Sequence, residues 1–128
     1  IFLEQVLPYA PDVPIQVAHF AGAGPGYDDP AADSVMAVLA EAVGRRDPAT
    51  AHLWFDVASL ADLTISSQQA ALLVKRIRRV GVERVLYGSD AAFGKNLRPR
   101  EGWKAFCRLP LSDRELTTIA GNLPPYFQ

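Results

Sequence analysis

The chain has 128 residues and carries 13 Lys+Arg against 14 Asp+Glu, a formal net charge of −1 with histidine neutral. Its 49% apolar and 21% charged residues are enough to build a core and exclude a disordered polymer. The balanced charge argues against a generic nucleic-acid partner, which needs positive charge to displace phosphate counterions, and no apolar run approaches the roughly 18 residues of a membrane helix.

Residues 1–10 read as the last turns of an amphipathic helix, with Ile1, Phe2, Val6 and Leu7 apolar and Pro11 closing it. This mid-pattern start leads to the expectation of a piece of something larger. Residues 13–20 (VPIQVAHF) form a short β-branched apolar run, a strand. Residues 21–30 are a Gly/Pro loop. Asp29 stands as N-cap and Pro30 as first helical residue of a helix whose apolar positions are Ala32, Val35, Met36, Leu39, Ala40 and Val43.

Residues 45–50 (RRDPAT) punctuate the chain, and residues 51–59 (AHLWFDVAS) form a second strand with Trp54 and Phe55 in the core. Residues 66–81 form a second helix, capped by Ser66 or Ser67 and stopped by Gly81. Leu72, Leu73, Ile77 and Val80 are its buried stripe, and Lys75, Arg76, Arg78 and Arg79 its wet face. Residues 84–90 (RVLYGSD) make a third strand, followed by a charged loop over 91–100. A short helix over 101–109 docks through Trp103 and Phe106, with Cys107 packed away from any site. The last helix, 112–123, opens with Ser112 and Glu115 at capping-box spacing. Strands alternating with helices imply right-handed βαβ units and a parallel sheet.

One cysteine excludes an intrachain disulfide and a Cys-rich zinc site, and the absence of a signal-like segment makes the cytoplasm the expected compartment. In parallel α/β folds, ligands meet polar groups at the C-terminal strand ends. Here those ends carry His19, Asp56 and Ser89-Asp90, whereas His52 opens its strand and falls at the opposite rim. Each has a plainer reading. His19 is a hydrogen-bonded core residue, Asp56 binds loop amides or a loop arginine, and Asp90 caps a turn. The Gly22-Ala23-Gly24-Pro25-Gly26 loop only partly fits a dinucleotide fingerprint. Its third Gly comes one residue early, Pro25 lacks an amide, and the helix starts late. Lys95, Arg98 and Arg100 make the third loop basic, either simply solvated or in contact with an anionic substrate or a neighbouring subunit.

Taken in order, IQVAHFAGAGP, HLWFDVAS, RVLYGSDAAF and LTTIAGNLPPYF resemble the sixth, seventh and eighth strands and the last helix of metal-dependent amidohydrolases, in the amidohydrolase-2 or aminocarboxymuconate semialdehyde decarboxylase-like branch. RVLYGSD is the specific part, and the His-containing strand is less so. The resemblance implies that residues 1–128 are the C-terminal part, strands 6–8, of a single (β/α)8 barrel of about 250 residues or more. It implies a divalent metal, zinc first and manganese second, that lowers the pKa of a bound water. Asp90 would ligate the metal and take the water's proton. His19 would hydrogen-bond the substrate oxygen or ligate the metal. Gly22, Gly24, Asp56 and Ser89 would line the substrate loops.

The family's H-x-H strand and its strand-five His have no counterpart in this chain. A catalytic zinc takes three or more protein ligands, so the isolated chain is expected to be inactive. The expected activity of the whole is hydrolysis of a small amide, ester or lactone. Non-oxidative decarboxylation is the alternative within the family, and a small nucleotide-binding α/β domain the alternative outside it. A third alternative is a non-catalytic assembly piece whose open sheet edges pair with another chain, giving homo-oligomers.

Overall fold

The computed structural model describes residues 1–24, 26–91 and 98–127. Pro25, Ala92, Phe93 and Lys95, all used in the sequence reading, lie outside the described residues. The three strands are β1 (Ile15–Val17), β2 (Leu53–Asp56) and β3 (Val85–Leu86), and the four α-helices are α1 (Pro30–Gly44), α2 (Ser67–Val80), α3 (Pro99–Phe106) and α4 (Asp113–Gly121). The strands form one sheet in the order β1-β2-β3, and both pairings are parallel. The α/β class and the parallel sheet are therefore as the alternation of elements implies.

Parallel partners share a face, and side chains alternate along a strand. Gln16 pairs with Trp54, Val17 with Phe55, and Asp56 with Leu86. One face thus carries Ile15, Val17, Leu53, Phe55 and Val85, and the other Gln16, Trp54, Asp56 and Leu86. The first face shares one core with Met36, Leu39 and Ala40 of α1 and Leu73, Val74, Ile77 and Val80 of α2. Phe20 and Phe55 meet edge to face inside it, with ring centroids 6.0 Å apart. Trp54, expected in the core, is only half-buried because it lies on the opposite face from Phe55.

The helix boundaries follow their caps. The Asp29 side chain accepts from the Ala31 amide at 2.8 Å. Ser66, not Ser67, caps α2, and Gln69 returns the bond to the Ser66 amide. Ser112 and Glu115 close the same box on α4. At the other end of α4, Asn122 Nδ2 donates to the carbonyls of Val82 and Val85 at 2.6 and 2.7 Å. That side chain ties the last helix to the entry of β3.

Several expectations are corrected. The strands are shorter than residues 13–20, 51–59 and 84–90, because the chain leaves the extended conformation just past the last ladder position. The N-terminal stretch is a wide π-type turn over Phe2–Val6 followed by a 3₁₀ turn over Leu7–Tyr9, not a regular helix end; Pro8 falls in the 3₁₀ turn. The helix placed at 101–109 begins at Pro99, whose ring presets the first turn, and ends at Phe106. Cys107 is exposed, since Ala105 and Phe106 turn inward and Cys107 follows them outward. On α2, Val74 replaces Leu72 in the buried stripe. Val35 of α1 is 48% exposed.

Arg76 is not on the wet face. Its guanidinium makes a two-pronged contact with Asp33 of α1, Nε to Oδ1 at 2.9 Å and Nη2 to Oδ2 at 3.1 Å. Tyr27 donates to the same carboxylate at 2.9 Å. The Arg76 guanidinium holds the Asp33 carboxyl below its ordinary range, while burial, then the Asp33 contact, pushes the Tyr27 phenol upward. This half-buried network pins α1, α2 and the loop before α1 together. No helix among the described residues is long and apolar enough to cross a membrane.

Candidate functional site at the strand ends

The chain breaks from each strand in the same unusual way. His19, Phe20 and Ala21 after β1, Ser59 after β2 and Asp90 after β3 all have positive φ, between 46° and 63°. A side chain in this region clashes with its own backbone and costs roughly 1–2 kcal/mol per residue. Among described non-glycine residues, only Arg46 shares it outside this rim. Left-handed turns at three consecutive strand ends aim polar side chains across the C-terminal edge of the sheet. Sustained strain of this kind concentrates at functional sites.

Asp56 organises the rim. It is 7% exposed. Its Oδ2 accepts from Gln16 Nε2 at 2.7 Å, and its Oδ1 from the amides of His19 at 3.0 Å and Ala58 at 3.1 Å. Tyr126 in turn donates to Gln16 Oε1. Burial, then the nearby Asp56 charge, raises the Tyr126 phenol above its ordinary range. Asp56 therefore binds loop amides, the plainer of its two sequence readings, and positions His19.

The His19 ring is fixed by a bond between Nδ1 and the Ala58 carbonyl oxygen at 2.9 Å. A carbonyl can only accept, so Nδ1 carries the proton. In the neutral ring Nε2 is then the lone-pair nitrogen, ready to accept a proton or to ligate a metal. Only an imidazolium could donate from Nε2. This tautomer favours the ligand or proton-acceptor role over donation to a substrate oxygen.

Ser59 donates to Asp90 Oδ2 at 3.1 Å, and Gly24 brings the first loop against both neighbours. A Cβ at Gly24 would lie 3.2 Å from Ser59 Oγ and 3.5 Å from His19 Nδ1, and its φ of +49° favours glycine in any case. Gly22 donates its amide to the His19 carbonyl at 2.8 Å and closes the left-handed turn. Gly22 and Gly24 thus pack onto the His19–Ser59 side of the rim before α1 begins at Pro30. Sequence reasoning missed Ser59. Its serine ends the AHLWFDVAS run, but nothing in that pattern signals a positive φ.

His52 is exposed and precedes β2, where its carbonyl accepts from the Ile15 amide at 3.1 Å. It lies at the entry edge of the sheet, away from His19, as its position in the sequence implies. Arg98 and Arg100 are exposed, and Arg98 pairs with Glu101 at 3.2 Å.

An imidazole nitrogen and a carboxylate are suitable donors for zinc or manganese. Among the described residues, however, no group of three or more His, Cys, Asp or Glu side chains converges in a metal-binding cluster. The donor set present therefore does not by itself fit a catalytic metal.

Beside this rim, a cavity of about 650 Å³ opens between the 61–64 segment and α3. Val57, Ala61, Ala105 and Phe106 form its buried floor, and Ser59 and Ser89 lie on its rim side. Comparison with protein-family profiles, with curated proteins and with solved structures finds no match.

Proposed function

We propose that this chain supplies the C-terminal strand-end donors of a metal-dependent hydrolase built as a (β/α)8 barrel, with β1–β3 as its last three strands. His19 acts through Nε2 and Asp90 through its carboxylate, on a carbonyl-type substrate. One observation carries the reading: the Nδ1–H bond to Ala58 leaves the Nε2 lone pair, on a ring whose backbone is held in a left-handed turn by Asp56. Ligating histidines are commonly oriented by such a backbone carbonyl. The paired sequence signatures, VAHFAG and LYGSD, support the same assignment.

Two donors bind a divalent ion weakly, so the remaining ligands belong to strands outside residues 1–128. Within this chain, Asp56 and Ala58 hold the imidazole orientation, and Ser59 orients one oxygen of Asp90.

A zinc titration followed by imidazole ¹⁵N NMR tests this. Nε2 of His19 is expected to shift at millimolar zinc, well before His52, and the response is expected to vanish in Asp90→Ala. Equal responses at His19 and His52, or an unchanged His19 response in Asp90→Ala, would overturn the assignment.

A further inference from the structure

We infer that the cavity between the 61–64 segment and α3 is a binding site for a neutral aromatic amide or ester. The inference rests on the hydrolase reading only in treating that ligand as substrate.

The cavity of about 650 Å³ falls in the size range of small-molecule sites. Its floor of Val57, Ala61, Ala105 and Phe106 is apolar and buried. One wall is Tyr87, whose ring packs against Trp103 at 4.7 Å and Phe106 at 5.2 Å between centroids. Aromatic rings at such spacings form a surface on which a further ring gains edge or stacking contact.

Polar groups ring the apolar floor. The Tyr87 and Ser89 hydroxyls have no hydrogen-bond partner among the described residues, and both residues line the cavity. Gly102 allows α3 to approach the phenol, since a Cβ there would lie 3.3 Å from the Tyr87 oxygen. Two hydroxyl donors beside an apolar floor suit a ring bearing a carbonyl oxygen.

The charge of the described lining favours a neutral ligand over an anionic one. Among the described residues, the charged lining side chains are Arg98, Glu101 and Asp62. One positive and two negative charges leave a formal charge of −1, and Arg98 is already engaged by Glu101. A free carboxylate gains no unpaired cation from the described lining residues. The same lining disfavours the carboxylated substrate that a decarboxylase would need. Ser59 links the two regions, because it lines the cavity and donates to Asp90. A ring held here places its carbonyl on the rim side.

Titrations of the chain with benzamide, benzoate and acetamide, followed through the methyl resonances of Ala61 and Ala105, test the inference. Benzamide is expected to saturate these shifts, with benzoate and acetamide each at least about ten-fold weaker. Tyr87→Phe keeps the ring packing and is expected to weaken benzamide about three- to ten-fold, the loss of one hydrogen bond. His19→Gln is expected to remove the zinc response while leaving benzamide binding intact, so failure of the metal-donor reading and failure of this one are separable. Absence of benzamide shifts up to its solubility, equal affinity for benzoate, or an unchanged affinity in both Tyr87→Phe and Ser89→Ala would overturn it.

Discussion

The helix-covered half of the sheet and its C-terminal rim obey opposite rules. Behind the sheet, Phe55, Leu73, Ile77 and Val85 are fully buried, and the helices over them are closed by side-chain caps. Local preference and tertiary packing agree there. At the rim, His19, Phe20, Ala21, Ser59 and Asp90 all adopt a backbone that their side chains disfavour. Packing overrides local preference, and the polar groups so displayed are those with chemistry to offer. Stability is concentrated in the first region, and strain in the second.

The largest effect separating the regions is expected from Phe55→Ala. It removes a ring with 0% exposure and is expected to cost about 3–5 kcal/mol in urea denaturation. A loss below about 1 kcal/mol would mean that this core collapses readily around the cavity. Asp56→Ala comes next. It strips the partners of the His19 and Ala58 amides, each unpaired buried amide costing about 1–3 kcal/mol, and releases the exposed Gln16 side chain to solvent at little cost. NMR is expected to show the His19 ring released together with the stability loss. A fixed His19 ring in that variant would remove Asp56 from its positioning role.

The same substitution is expected to have opposite signs in the two regions. Ala71→Gly on the exposed face of α2 is expected to destabilise by about 1 kcal/mol through helix propensity. Ala21→Gly, at φ 63°, is expected to stabilise by roughly 0.5–1 kcal/mol, because glycine relieves the left-handed strain at a smaller entropic cost. Thermal melts of the two variants give the comparison directly, and equal signs would mean that the rim turn is unstrained.

The smallest effect is expected from pH at the surface. Arg78, then the Ser112 amide, holds the Glu115 carboxyl at about 2 against its ordinary 4.5. A carboxyl depressed on folding stabilises above its unfolded value and loses that contribution as pH falls through the folded one. Stability is therefore expected to decline between about pH 4.5 and 2, less steeply in Glu115→Gln and in high salt, since the pair is exposed. Identical acid limbs in the parent and Glu115→Gln would dismiss the pair as a contributor.

Much of this was legible in residue types acting over three or four positions. Asp29-Pro30, Ser66 and the Ser112–Glu115 pair predict the helix starts because a cap needs only its own first turn. The β-branched runs predict three strands, and the helices between them predict their parallel order. His19, Asp56 and Asp90 are legible as strand-end residues for the same reason. Their roles were not. That Asp56 is a brace, that Arg76 is claimed by Asp33, and that Cys107 faces outward depend on neighbours distant in the chain.

The α/β class, the caps and the set of polar residues at one edge of the sheet follow from short-range sterics and periodicity, which the amino-acid order alone carries. The His19 tautomer, the left-handed turns, the partnership of Ser59 with Asp90 and the cavity lined by Tyr87 come from long-range packing. Each arises where segments thirty or more residues apart press together, and no local preference encodes which group a buried carbonyl or carboxylate will meet.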